Sequence, residues 1–246
     1  MKGKFFGGTS GLQIDLPKRD FPPEYSHLSR LGYYSLQENS IEINSSFYKI
    51  PQSKTIARWA TEVSADFRFT FKLWKGITHE KNLFFNPQDV SSFMEAIRLP
   101  ETQQGCLLVQ FPPSLQVNAL PQLEVLLDML STDTWPVAVE FRHSSWYKDD
   151  VFELLSRHQA AMVLQDMPKS ATPMEITPDE LVYLRFHGPS GNYKGSYSES
   201  FLSEYASYIN EWQEEGKSVF VYFNNTAGAA LENLHLLKRL LVEQDV

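Results

Sequence analysis

The stretch PVAVEFR, residues 136–142, sets Val137, Val139 and Phe141 in alternation with Ala138, Glu140 and Arg142. Side chains on a strand point to opposite faces with a period of two, so this stretch has one apolar face and one face carrying Glu140 and Arg142. Five further segments read the same way: IEIN (41–44), FRFTFK (67–72), CLLVQF (106–111), LVYLRFH (181–187) and SVFVYFN (218–224). Their apolar faces hold Ile41 and Ile43, Phe67, Phe69 and Phe71, Val182, Leu184 and Phe186, and Val219, Val221 and Phe223. The opposite faces carry Glu42 and Asn44, Arg68, Thr70 and Lys72, Gln110, Arg185 and His187, and Tyr222 and Asn224. A one-sided sheet facing water has this pattern, but helix-like segments lie between the strands here. Interleaved helices imply parallel strands covered on their outer face. The polar face then points into a closed barrel with a charged interior.

Strand starts fall near residues 3, 41, 67, 106, 136, 161, 181 and 218. Helical spacing of apolar residues predicts helices over 54–63, 119–130, 198–215 and 226–243, the third introduced by Ser198 and the last by Thr226. Eight strands alternating with helices specify an α/β fold, a single (β/α)8 TIM-type barrel over residues 1–246. The sixth helix is expected to be reduced or missing. The short segment from Asp166 to Leu181 contains Pro168, Pro173 and Pro178, and proline breaks helix interiors. The segment LPKRDFPPEY after the first strand reads as a loop wrapping the barrel mouth.

A chain of 246 residues suits one barrel, and 13% aromatic residues allow it a large core. The formal charge of −8 excludes a generally basic nucleic-acid-binding surface but not a local basic pocket. Cys106 is the single cysteine and cannot form an internal disulfide, which suits a reducing cytoplasm. The opening MKGKFFGGTSGLQIDL lacks the features of a secretory signal. No run approaches the ~18–20 apolar residues that span a bilayer. A soluble, cytoplasmic protein without a membrane partner is expected, and no pattern fixes its oligomeric state.

In such barrels the site lies at the C-terminal ends of the strands. That rule selects Glu42, Asn44, Lys72, Gln110, Glu140, Arg142, Asp166, Arg185, His187, Tyr222 and Asn224, with Tyr48, His79, Trp146, Gly188 and Asn225 from the adjoining loops. Glu42 or Glu140 is the expected proton carrier and His187 its partner. The remaining residues are expected to bind substrate, with Arg142, Arg185 and Lys72 meeting its negative charge. The plainer alternative is a salt-bridge network that merely closes a polar interior, a reading that fits Arg68 best. Yet a well-packed apolar interior is usually at least as stable as buried ion pairs, so retaining this many charges favours use. Glu42, Glu140, Asp166 and His187 are also ligand types for a divalent metal. No HExxH pattern or tight Cys/His spacing supports a metal site, and no dinucleotide or P-loop fingerprint indicates a cofactor.

Set in order, EINSSFYKIP, FRFTFKLWKGITHEKNL, LLVQFPPSL, VAVEFRHSSWY, YLRFHG and VYFNNTAGAALEN resemble the YecE-like family, domain of unknown function 72, from about residue 40 to the end. The resemblance implies a TIM-barrel fold and the same pocket. Its motifs fall on Glu42, Asn44, Phe47, Tyr48, Lys72, Thr78, His79, Gln110, Pro112, Glu140, Arg142, Trp146, Arg185, His187, Gly188, Asn224 and Asn225. Where the family opening reads GTSGW, this chain has Leu12 after Gly11. The family name implies a fold and no reaction.

Three functions fit. The first is an enzyme performing acid–base chemistry on an anionic, phosphate- or carboxylate-bearing small molecule. The second is a nucleic-acid-processing or damage-recognising protein, by analogy with TIM-barrel endonucleases, using Trp74, Trp146, Tyr193 and Tyr197 as stacking aromatics. The third is a non-catalytic ligand-binding barrel. For the first, an anion cradle is expected where His187-Gly188-Pro189-Ser190-Gly191 meets Asn224-Asn225-Thr226-Ala227-Gly228, with Asn225 or Thr226 capping the last helix.

Overall fold

The computed structural model describes residues 2–244. Nine strands follow in chain order: β1 Phe5–Thr9, β2 Ser40–Ile43, β3 Arg68–Lys72, β4 Gln104–Gln110, β5 Val137–Glu140, β6 Ala161–Met162, β7 Leu164–Gln165, β8 Leu181–Phe186 and β9 Ser218–Phe223. They form two sheets with parallel pairing, one in the order β2-β3-β4-β5-β6 and the other β1-β9-β8-β7. The sheets meet where Ser10 bridges Glu42 in parallel and the Gly11 amide donates to the Glu42 carbonyl at 2.8 Å. At the other seam the chain runs from β6 into β7 through Val163, so the expected sixth strand is divided between the two sheets.

The period-two reading of the outer face holds. Ile41, Ile43, Phe67, Phe69, Phe71, Val139 and Phe141 are buried in one core with the helices that flank β2 to β5. Val182, Leu184, Phe186, Val219, Val221 and Phe223 are buried in a second core with Leu202, Ile209, Leu234 and Leu237 of the last two helices. Helices occupy Ser53–Glu62, Leu120–Leu130 and Glu199–Glu214, the last capped by Ser198, whose hydroxyl accepts the Phe201 amide at 3.2 Å. The final helix, Ala230–Gln244, begins four residues later than Thr226. The helix Pro87–Ala96 carries a start signal in its sequence: Asn86 accepts the Gln88 amide at 3.1 Å and Pro87 fills a first-turn position.

Among the described residues no helix separates β7 from β8. Threonine hydroxyls hold that segment instead. Thr172 donates to the Val163 carbonyl at 2.9 Å, and Thr177 donates to the Ala160 carbonyl at 2.6 Å while accepting the Met162 amide at 2.9 Å. They satisfy backbone groups of the divided strand that would otherwise be buried without partners.

The inner face departs from the expectation of a charged interior. Its lower part is an apolar cluster that includes Phe6, Cys106, Leu108, Tyr183, Phe220 and Tyr222. Above it the Tyr222 hydroxyl meets the Thr70 hydroxyl at 2.7 Å and the Ser40 hydroxyl, and only then does the charged layer begin. The inward positions of β4 show why: Cys106 and Leu108 come before Gln110, so each step along the strand carries the interior from apolar to polar. Arg68, at the opposite end, is half-buried with its guanidinium 5.2 Å from the Phe6 ring centroid.

β1 approaches β2 closely at Gly8, where a Cβ would lie 2.2 Å from the Ser40 carbonyl oxygen. Gly8→Ala should therefore cost at least ~2 kcal/mol in urea unfolding, because the two strands must separate to admit a methyl group. An unchanged unfolding midpoint would contradict this packing.

Candidate functional site

The charged layer is centred on Arg185, which β8 carries into the interior and which is 1% exposed. Its Nε donates to both Glu42 carboxylate oxygens at 3.2 and 3.0 Å, and its Nη2 donates to Glu42 Oε1 at 2.8 Å. Tyr183, two residues earlier on the same face, donates its hydroxyl to Glu42 Oε2 at 2.6 Å. The Arg185 Nη1 reaches Glu140 Oε2 at 3.0 Å, and Arg142 Nε donates to Glu140 Oε1. Glu42 from β2, Glu140 from β5 and Arg185 from β8 are thus joined across both sheets.

His187 extends the network. Arg142 Nη2 and Arg185 Nη1 lie 2.8 and 3.0 Å from its Nε2. A guanidinium can only donate, so Nε2 accepts and the ring proton belongs on Nδ1, which faces Asp166 Oδ1 at 3.3 Å. Asp166 also accepts the His187 amide at 2.8 Å and the Tyr197 hydroxyl. Burial pushes the His187 imidazole down first, more than Asp166 and Glu140 raise it, so the ring is held neutral.

These contacts engage Glu42, Glu140 and His187, the expected proton carriers and partner, in one hydrogen-bonded network. Burial alone would raise the Glu140 carboxyl, but Arg142 and Arg185 overcome it and hold it well below the usual carboxylate range. Burial likewise opposes ionisation of Glu42, and Arg185 prevails there too. The Tyr183 hydroxyl, donating to Glu42, adds to that pull. Both carboxylates stay ionised near neutral pH, and the accepting nitrogen of His187 is already occupied. The three form a fixed, polarised floor.

Lys72 stands apart. Its Nζ lies 4.1 Å from the centroid of the Phe47 ring and, among the described residues, makes no ion pair or hydrogen bond. Burial lowers its pKa first and Arg185 next, against the opposing pull of Glu140 and Glu42, to about 8. The tip of its strand is pinned by Ser46, whose hydroxyl lies 2.7 Å from both the Lys72 and the Ile43 carbonyl oxygens. Asn44 directly follows Ile43, the β2 partner of Phe71, and its Oδ1 is buried without a partner. Gln110 is in register with Glu140 on the neighbouring strand. His79 closes against the Phe47 ring, 4.9 Å between centroids, with Nδ1 2.9 Å from the Thr78 hydroxyl. Its ring is exposed at the outer edge, yet desolvation, then Lys72 and Lys75, lower its pKa to about 4. Tyr48 is 69% exposed at the rim, with Lys75 Nζ 5.8 Å from its ring.

Other expected site residues lie elsewhere. Trp146 is fully buried, stacked 4.6 Å from Phe141, and its Nε1 donates to the Leu115 carbonyl at 2.9 Å. Large apolar area placed it in the outer core. Tyr222 lies in the layer beneath the charges. Asn224, half-buried, donates its amide to the Phe186 carbonyl at 2.7 Å. Neither Asn225 nor Thr226 caps the final helix, which begins at Ala230. Asn225 instead donates from Nδ2 to the Gly195 carbonyl and to Asn233 Oδ1, both at 3.0 Å, tying two loops together.

Several backbone amides of the expected anion cradle are spent internally. The Gly188 amide donates to the Tyr197 hydroxyl, Ala227 to the Tyr193 carbonyl at 3.1 Å, Gly228 to Asn225 at 2.8 Å and Ala229 to Gly195 at 3.1 Å. Close contact explains this: a Cβ on Gly228 would lie 2.5 Å from Gly195. Tyr183 and Ser10 were not singled out in the sequence, and Tyr197 was read there only as a stacking aromatic. The period of two that places Arg185 inward also places Tyr183 inward, whereas Tyr197 reaches Asp166 from 31 residues away without a local signal.

Among the described residues no three His, Cys, Asp or Glu side chains are grouped to hold a metal ion. Guanidiniums occupy the carboxylates that a metal would need. A cavity of about 930 Å³ opens at the opposite, N-terminal ends of the strands, lined by Arg68, Gln104, Pro136, Leu181 and Phe220. Volume alone does not move the candidate site there, because the converging charges and the unpaired amine are all at the other end.

Residues 8–246 match the family model described as protein of unknown function DUF72, and the chain belongs to that family. The match reaches back past residue 40, through the divergent opening. The chain is 25% identical over 255 residues to the UPF0759 protein YunF of Bacillus subtilis, covering 91% of this chain and 90% of that protein. It is 30% identical over 132 residues to the UPF0759 protein YecE of Escherichia coli K12, covering 51% and 48%. A crystal structure of a DUF72 family protein from Thermotoga maritima superposes with a TM-score of 0.78 at 27% identity, covering 97% of this chain and 99% of that one. One from Enterococcus faecalis gives 0.81 at 22% identity, covering 97% and 95%.

Two stability measurements separate the fixed floor from Lys72. Folding lowers the Glu42 and Glu140 pKa values, so their contribution is complete above the ordinary carboxylate value of about 4.3 and is lost as pH falls below it. Glu140→Gln should cost roughly 3–5 kcal/mol at pH 7 and flatten the acid limb of the stability curve. Lys72 is the opposite case. Its charged form is penalised by folding below about pH 8, and the penalty fades as pH rises toward its unfolded value. Lys72→Met should therefore stabilise the protein at pH 7 by roughly 1–3 kcal/mol, a gain that vanishes near pH 10.5 in chemical unfolding. Destabilisation at pH 7 would show that the amine has a structural partner.

Proposed function

We propose that this DUF72 protein is a cytoplasmic enzyme that acts on an anionic small molecule by acid–base chemistry, with Lys72 as the proton carrier. The two sheets are read as one closed (β/α)8 barrel, supported by the Ser10–Glu42 bridge, the strand divided between β6 and β7, and the span of Arg185 across both. Among the described residues no helix is long and apolar enough to cross a membrane.

The observation that carries the proposal is the unpaired Lys72 amine above a saturated ion network. Arg142 and Arg185 are already balanced by Glu140 and Glu42, so the cation left to meet an incoming anion is Lys72. With a pKa of about 8 the amine has both protonation states available near neutral pH, which is what efficient proton transfer requires. Glu42 and Glu140 then stabilise the ammonium form, held in place by guanidiniums that need not reorganise. His79, neutral and set against the same Phe47 ring, adds a second polar edge. The nucleic-acid reading loses two of its four aromatic platforms, since Trp146 is fully buried and Tyr197 is 6% exposed.

An unbiased metabolite screen by native mass spectrometry distinguishes these readings. The wild type should retain a small anion, Lys72→Met should lose it while staying folded, and Arg68→Met at the far end should keep it. Retention unaffected by Lys72→Met would overturn the assignment, and turnover by the wild type alone would separate an enzyme from a passive binder.

A further inference from the structure

We propose that Lys72 acts as a nucleophile as well as a base, and that the substrate is an anionic aldehyde or ketone held as an iminium on its Nζ. This inference rests on the acid–base reading above and names the substrate class for the same site. Three features of the geometry favour covalent capture. The amine is half-buried at a strand tip and committed to no carboxylate, so its lone pair is not tied up once the proton leaves. The face of Phe47, 4.1 Å away, supports a cationic nitrogen without donating or accepting a hydrogen bond, and an iminium carries the same charge as the ammonium it replaces. The Oδ1 of Asn44, at the tip of the adjoining strand, is buried without a partner, which leaves an unsatisfied acceptor on the strand beside that of Lys72. Desolvation, which lowers the Lys72 pKa, enlarges the fraction of free amine at neutral pH.

The step balances without any further reagent. Neutral Nζ attacks the carbonyl carbon, forming a C–N bond while the carbonyl oxygen takes a proton to give a carbinolamine. That hydroxyl then leaves as water, taking up the proton that the Lys72 ammonium released on becoming the neutral amine, and the C=N⁺ iminium remains. The positive nitrogen then serves as an electron sink for loss of a proton or a carbon fragment from the adjacent carbon. The two ionised glutamates lie close enough to favour the cation electrostatically.

The test uses glyoxylate, a small anionic aldehyde, with sodium cyanoborohydride at pH 7, followed by peptide mapping. A reduced iminium leaves a stable carboxymethyl group on the lysine that formed it. Lys72 should be marked at least ~10-fold faster than the exposed neighbour Lys75; a pKa of about 8 gives Lys72 a free-amine fraction on the order of 100-fold above that of a model-peptide lysine, partly offset by lower intrinsic nucleophilicity. Marking of Lys72 no faster than Lys75 overturns the inference. The native mass spectrometry screen then tells the two failures apart. Absence of preferential marking with a retained, Lys72-dependent anion removes the iminium and leaves acid–base chemistry. Absence of both removes the site reading as well.

Discussion

The buried guanidinium of Arg185 is the contact on which the upper half of the interior depends. It joins Glu42 of one strand to Glu140 of another while rooted in the second sheet, so the three carboxylate-bearing and guanidinium-bearing strands cannot shift independently. Removing such groups from water costs several kcal/mol per ion, and mutual attraction offsets that cost only when the geometry is complete. The contacts are extensive: Tyr183 fills a further site on Glu42, Arg142 shares Glu140, and His187 accepts from one nitrogen of each guanidinium and points its own proton toward Asp166. An apolar layer beneath, with Phe6, Leu108 and Phe220, keeps these charges at one end.

Saturation of the network has a chemical consequence at Lys72. Every carboxylate that could have paired with the amine is already engaged by a guanidinium, and Arg185 itself repels it. The result is a cation that burial penalises, that Glu140 and Glu42 offset only in part, and that has no ion pair of its own among the described residues. Such a group lowers stability, and its retention at a strand tip is most simply understood as a cost tied to function. The site thus divides into residues whose charge is fixed and one whose charge varies near neutral pH. That division is what a proton-transfer or amine-capture site requires, and it differs from a site in which buried glutamates exchange protons.

Much of this arrangement was legible in the sequence. The period of two in FRFTFK, VAVEFR and LVYLRF sorted Phe69, Val139 and Leu184 to the outer cores and Lys72, Glu140 and Arg185 to the inner face. Pro168, Pro173 and Pro178 marked the segment that lacks a helix. Periodicity gives the face of a residue and not its depth, so it placed Tyr222 at the mouth when it lies a layer below. Nor does it weigh one partner against another. Glu140, His187 and Lys72 were all identified as site residues, but which of them keeps a free lone pair depends on contacts between strands far apart in the chain. Trp146 and the loop around Asn225 show the same limit: a large ring beside a site motif went to the core, and amides that suited an anion were taken by a neighbouring loop.

The central claim, that Lys72 is the site's unpaired and readily deprotonated amine, is open to direct titration. Lysine side chains labelled with carbon-13 at Cε can be followed by NMR from pH 6 to 11, with Lys72 assigned by its loss in Lys72→Met. The structure predicts that the Lys72 resonance titrates with a midpoint near pH 8. A Lys72 midpoint at the ordinary lysine value of about 10.4 would show that the amine is solvated or ion-paired in solution, and would contradict the account.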